Sequence, residues 1–132
     1  GKPILFAKFK NKEKVFFGLP GNPISSAACF RFFVYPYLSD ILNINEEKPF
    51  KARLTNKFKK KKNFTRFLKG KLTSTNNGNL QIKILQGQES FRIKSFVKSN
   101  VWGVFKAGQS TFKKGHLIEC HFPITPNKNI FY

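Results

Sequence analysis

The residues whose types and spacing could do chemistry fall in one stretch, Gly18-Leu19-Pro20-Gly21-Asn22-Pro23-Ile24-Ser25-Ser26. Asn22 suits a helix N-cap, Pro23 suits the first helical position, and Ser25 and Ser26 bring hydroxyls to the first turn. A glycine loop that enters a helix this way presents backbone N–H groups and the positive end of a helix dipole, which is chemistry for a phosphate or another oxyanion. A plain strand–turn–helix junction uses the same residue types, so the loop alone leaves both readings open.

Other candidate groups are scattered. The six acidic residues are Glu13, Asp40, Glu46, Glu47, Glu89 and Glu119. Most of them fall in linkers, which gives a paired-carboxylate mechanism no home. His116 and His121 lie five positions apart with no third ligand, so they read as strand histidines and not as a metal site. Ser25 and Ser26 do not form a nucleophile elbow. No catalytic residue and no metal ligand is assigned from these patterns.

The elements that must position the loop read as follows. Ile4 to Ala7 and Val15 to Phe17 are apolar runs, taken as short buried strands joined by a charged turn. From Pro23 to about Leu42 the pattern is helical and apolar on nearly every side, so the helix is expected to be buried on two faces, one of them against another domain or subunit. Pro36 is expected to kink or restart it. Asp40 to Lys48 reads as a polar linker ending at Pro49. Beyond it the period changes to two: Phe50, Ala52 and Leu54 alternate with Lys51, Arg53 and Thr55. Phe64 to Leu72, Leu80 to Ile84, Val101 to Phe105 and Leu117 to Phe122 are further strands, with Asn77-Gly78 as a hairpin turn and a mixed segment running up to Lys98.

The resulting fold class is an α/β fragment, strands plus one long helix, followed by a small all-β barrel or sandwich. The boundaries are 1–47 for the α/β part, 48–125 for the β domain and 126–132 for a tail.

Composition bounds the partners. The net charge is +19, and lysine far outnumbers arginine. A chain this basic is drawn to polyanions, but specific nucleic-acid readers lean on arginine forks. The run Lys57 to Lys62 reads as a solvated face, with phosphate contact as the sharper alternative. Phe58 and Phe64, flanked by lysines, are the aromatics that could stack on bases. The second functional reading is therefore a basic, non-enzymatic β module that binds nucleic acid. No apolar run is long enough for a membrane span, and no secretory leader is seen at the start of the sequence. Cys29 and Cys120 have no ligand spacing and read as buried, unpaired thiols, which fits a reducing cytoplasm.

Several segments together resemble the molybdopterin molybdenumtransferase family, which includes the E domain of gephyrin. The carrying residues are Gly1-Lys2-Pro3, the loop Gly18 to Ser25, and the apolar helix with Pro36. Arg66-Phe67-Leu68-Lys69-Gly70-Lys71-Leu72 resembles the family's RFLRGRL strand, Gln88-Glu89-Ser90 its QGS, and Lys98-Ser99-Asn100 its KAN step. Val104 to Glu119 is similar to its closing segment.

The resemblance covers the C-terminal third of that enzyme: the end of its molybdopterin-binding α/β domain, then its small β domain. It implies insertion of molybdate into adenylylated molybdopterin with Mg2+ and release of AMP, in a homodimer. It also implies that Lys2 and the loop residues Gly18, Pro20, Gly21, Asn22, Pro23 and Ser25 line a pterin-nucleotide phosphate site. Lys69 and Ser90 would approach the cleft from the β domain. Two departures stand out: Lys69 replaces an arginine, losing bidentate reach, and Glu89 replaces a glycine, adding a negative charge. The family's acidic and magnesium-binding residues lie upstream of this segment, so the 132 residues alone are expected to be inactive.

Overall fold

The computed structural model describes residues 4–45, 47–89 and 92–123. The chain divides into two compact units, residues 1–46 and 47–132.

In the first unit, β1 (Leu5–Lys8) and β2 (Val15–Gly18) form an antiparallel hairpin with Phe6 opposite Phe17. Asn11 takes a positive φ of 65° in its turn, a conformation asparagine tolerates better than most residues. The strands are not buried within this unit: Leu5, Phe6 and Phe16 are half or more exposed. A two-stranded ribbon has no second layer to cover its far face. One anchor is aromatic, because Phe6 and Phe17 pack against Tyr37 at 6.4 and 5.5 Å between ring centroids.

Tyr37 lies on the helical run, which comes in three parts. Helix α1 (Pro23–Cys29) is followed by one π-helical segment (Phe30–Val34) and then by α2 (Tyr35–Ile41). Pro36 explains the middle part. It has no N–H to give to the carbonyl four residues back, and its ring crowds that carbonyl. A widened π turn just before it carries the chain through without a break. Phe33, Ile41 and Leu42 remain exposed along this run.

The second unit is a closed five-stranded barrel in the order β3-β6-β5-β7-β9. The strands are β3 (Phe50–Leu54), β5 (Arg66–Ser74), β6 (Leu80–Ile84), β7 (Val101–Phe105) and β9 (Leu117–His121). A small ribbon, β4 (Phe58–Lys59) with β8 (Thr111–Phe112), sits beside them. The mixed segment before Lys98 contains a short helix, α3 (Ile93–Val97). Of the barrel and sandwich alternatives, the closed barrel is the one found. Its interior is filled by the inward residues of the period-two strands, including Ala52, Leu54, Leu68, Ile82, Phe105, Ile118 and Cys120.

Strand β5 changes partner at its centre. Arg66 to Gly70 pair with β7, and Gly70 to Ser74 pair with β6, so both ladders meet at Gly70. A Cβ on Gly70 would lie 2.7 Å from Ile82 Cδ1 and 2.8 Å from Ile82 Cγ1. Glycine here admits Ile82 to the barrel axis. Where strands run out, amide side chains replace them. Asn56 exchanges two hydrogen bonds with the backbone of Ile84 (3.2 and 3.0 Å), and Asn100 does the same with Leu72 (2.7 and 3.2 Å).

Two expectations follow. Gly70→Ala should lower the free energy of unfolding by about 1–3 kcal/mol through overpacking. Urea unfolding measures this, and adding Ile82→Val, which removes Cδ1, should recover part of the loss. The second concerns Glu119, which accepts from His121 Nε2 at 3.0 Å and pairs with Lys106 Nζ at 2.9 Å. These bonds hold its carboxyl below the ordinary 4.5. The stabilisation is therefore complete above that value and is lost as pH falls through the lowered one. Glu119→Gln should flatten this acid-side fall in the urea midpoint.

Candidate functional site

The glycine loop of the first unit is built by Asn22. Its backbone is extended (φ −81°, ψ 126°), and Oδ1 accepts from Ile24 N at 3.1 Å and from Ser25 N at 3.4 Å. Asn22 O accepts from Ser26 N at 2.9 Å. Ser26 Oγ donates to the carbonyl of buried Pro20, which ties the loop back to the helix. Pro23 has no N–H. The first-turn donors that an oxyanion would use are thus engaged inside the loop.

What faces outward is Gly21. It is exposed, and a Cβ placed on it meets nothing within 4 Å. The fold of this unit makes no demand for glycine at that point, and its bare backbone is open to close approach by something else. Gly18 differs, because a Cβ there would lie 3.0 Å from Leu5 Cβ across the hairpin. The loop therefore brings Gly18, Pro20, Gly21, Asn22, Pro23 and Ser25 together at one end of the hairpin–helix unit. Lys2 and Ser90 lie outside the described residues.

Lys69, in the barrel unit, is 1% exposed. Its ammonium donates to Gly87 O at 2.9 Å and to Ser95 Oγ at 2.7 Å. The Ser95 hydroxyl has one proton to give, with Gly87 O at 2.6 Å and Arg92 O at 2.9 Å as acceptors. Burial pushes the Lys69 ammonium down from its ordinary value, partly opposed by the Glu89 carboxylate. The Lys69 backbone is held by Gln88, whose Oε1 accepts from Lys69 N at 2.9 Å while its Nε2 donates to Lys69 O at 2.8 Å. Both ends of the residue therefore pin the segment after β6.

That segment and α3 border an open depression of about 660 Å³, lined by Leu85 to Gly87, Ser95 and the cations Arg92, Lys94 and Lys98. Gly87 has φ +74°, and a Cβ there would meet Arg92 Cδ at 2.8 Å. Phe96 against Trp102, 6.0 Å between centroids, seats α3 on β7. The extra charge at Glu89 is answered by Arg92, with Nε 3.3 Å from the carboxylate.

Sequence reasoning missed Gln88 and Ser95 as positioning groups. Gln88 was visible only as part of a motif, and Ser95 sits on a helix too short to show a period. The thiols are both free; Cys120 is in the barrel core, where burial raises it to about 11, and Cys29 is only partly buried. Among the described residues no three His, Cys, Asp or Glu side chains lie together.

Residues 51–122, the barrel, match the profile of the MoeA C-terminal region, domain IV. The chain belongs to the MoeA family. It is 32% identical over 124 residues to the molybdopterin molybdenumtransferase of Synechocystis sp., covering 93% of this chain and 28% of that protein. With the enzyme of the same name from Haemophilus influenzae it shares 30% over 121 residues, covering 89% of this chain and 30% of that one. The solved MoeA protein of molybdopterin biosynthesis from Pyrococcus horikoshii superposes with a TM-score of 0.69 at 25% identity, over 94% of this chain and 29% of that one. A Pyrococcus furiosus molybdenum cofactor biosynthesis protein, 18% identical with a TM-score of 0.65, shares the fold. The chain thus spans under a third of the length of these MoeA relatives.

The Lys69 geometry makes a prediction. Lys69→Met removes the donor to Gly87 O and Ser95 Oγ and should destabilise the barrel by about 1–3 kcal/mol. Because Lys69 has a lowered value when folded, the unfolded chain holds the proton better. Wild-type stability relative to Lys69→Met should then rise with pH across the window that ends at the ordinary 10.5. Urea midpoints of the two proteins at neutral and alkaline pH check the sign.

Proposed function

We propose that these residues form the C-terminal portion of a molybdopterin molybdenumtransferase. That enzyme inserts molybdate into adenylylated molybdopterin and releases AMP in molybdenum cofactor biosynthesis. The observation that supports this most is the family match over residues 51–122. The seven segments that carry the family resemblance, the loop of Gly18 to Ser25 among them, point the same way.

In this reading the open backbone at Gly21 and Asn22 receives the phosphate of the pterin nucleotide, and the family resemblance assigns Lys2 to the same phosphate. Pro20 and Pro23 fix the loop's course, and Ser25 supplies a hydroxyl. In the barrel unit, Lys69 acts as a positioning group. It holds the Gly87–Ser95 segment, on which Ser90 is carried, and leaves direct anion contact to exposed cations. The setting is cytoplasmic and the working enzyme a homodimer.

Mg2+ belongs to the family's reaction, but the described residues here do not make a site for it, and no step is assigned to it. The chain spans under a third of its relatives, so the 132 residues alone are taken as inactive.

A segment exchange tests this. Residues 1–132 would replace the corresponding part of the Haemophilus influenzae enzyme, and cofactor formation would be followed from adenylylated molybdopterin, molybdate and Mg2+. The chimera should form cofactor while the isolated 132 residues form none. Gly21→Val in the chimera should lower the rate at least tenfold without moving the urea midpoint. A folded chimera with no activity, or an active isolated chain, would overturn the reading.

A further inference from the structure

The barrel carries a strongly basic surface apart from the depression beside α3. Residues 57–66 and 106–116 hold nine Lys or Arg and no Asp or Glu. The structure places these two segments side by side. Phe58 is opposite Phe112 and Lys59 opposite Thr111, Lys60 N donates to Ser110 O at 2.8 Å, and Gly108 N donates to Lys62 O at 2.9 Å. The pairing makes Phe58–Lys59 a short strand, and exposure alternates from Lys57 to Lys61.

Phe58 and Lys60 point inward, with Phe58 packed on Phe105 at 5.3 Å. Phe58 is therefore core, and the idea that it stacks on bases falls away. Lys60 is 8% exposed, donates to Phe64 O at 2.7 Å and lies 5.7 Å over the Phe112 ring. It fixes the turn that presents Phe64, which is 60% exposed.

The outward residues are Lys57, Lys59 and Lys61, with Lys62, Lys113 and Lys114 beside them, all exposed. None of the six pairs with a carboxylate among the described residues; the nearby acid, Glu119, is taken by Lys106 and His121. Like charges gathered on one face repel one another. One extended polyanion would relieve the whole set.

We infer that this lysine-faced ribbon, with Phe64 at its tip, binds single-stranded nucleic acid. Alternate residues of a strand recur every ~6.6 Å, of the order of the distance between successive phosphates of a stretched single strand. Lysines at that spacing track a backbone as point charges, and an exposed aromatic beside them offers a face to one base. A membrane surface would need a wider apolar contact than one phenylalanine. Inorganic polyphosphate would find no use for the ring. The inference rests on the barrel alone and stands or falls apart from the proposed transferase role.

The test uses the full 132-residue chain and a fluorescein-labelled dT12 oligonucleotide, read by anisotropy. With about six phosphates neutralised, raising NaCl from 50 to 200 mM should weaken binding a few hundredfold. Lys59→Gln with Lys61→Gln and Lys113→Gln should weaken it strongly and lower the salt slope by about two. Lys10→Gln, Lys12→Gln and Lys14→Gln together remove the same charge from the other unit and should change affinity less than threefold. Phe64→Ala should cost dT12 about tenfold while leaving inorganic polyphosphate binding unchanged.

All these positions are exposed, and unchanged urea midpoints will verify folding. Equal losses from the two lysine triples would overturn the inference, because the effect would then be net charge alone. So would a Phe64→Ala protein that binds dT12 as well as wild type, or phosphatidylserine vesicles that outcompete dT12.

Discussion

The barrel depends on one close contact, that between Gly70 and Ile82. A strand of nine residues cannot lie flat inside a ring of five; it must bend and hand over from one neighbour to the next. Gly70 is where β5 does both, pairing with Val101 on one side and Ile84 on the other. The missing side chain leaves room for Ile82, which is fully buried and also reaches within 3.1 Å of where a Cβ of Gly103 would stand. One isoleucine thus fills the space left by two glycines on adjacent strands. Leu68, Ile84 and Val101 complete the layer around it.

From that bend follows the position of the candidate site. Beyond Gly70 toward its start, β5 loses β6 as a partner after Leu85, whose N–H gives the last ladder bond to Lys69 O at 3.2 Å. A buried backbone left unpaired there would be costly. Gln88 supplies the substitute with its amide, and so brings the chain after β6 back against β5. The Lys69 ammonium then ties the same segment at Gly87 and Ser95. The residues that border the depression are held by the requirement to satisfy one strand's hydrogen bonds.

Much of this was legible in the sequence, and the limits have physical causes. The period-two strands of the barrel showed because each has one face in the core and one in water. Asn22 and Pro23 announced the helix start, and Asn22 does cap it. Cap and anion compete for the same first-turn N–H groups, and the sequence left that choice open; Asn22 Oδ1 takes them. Pro36 was expected to kink or restart the helix, and a new α-helical segment does begin at Tyr35; the π turn before it was not specified, since a proline forbids one bond without dictating the repair. The strands of the first unit were expected to be buried; apolar runs report what a surface can tolerate covering, and the described residues of this unit leave Leu5, Phe6 and Phe16 half or more exposed. Lys69 was expected to approach a cleft from the β domain; its burial with two acceptors depends on loops that periodicity does not describe.

The parallel contact between β3 and β6 carries a consequence for how the chain folds. It spans only two residue pairs, Arg53 with Gln81 and Leu54 with Ile82, whereas β3 meets β9 over four. The first strand of the barrel therefore gains most of its ladder from the last, more than sixty residues later. Contacts of that separation form late, after loop closure has been met by other interactions. During synthesis β3 must wait, with its edge unpaired, until Leu117 to His121 have emerged. Its alternating Lys51 and Arg53 are well suited to that interval, because edge charges discourage pairing with a neighbouring chain.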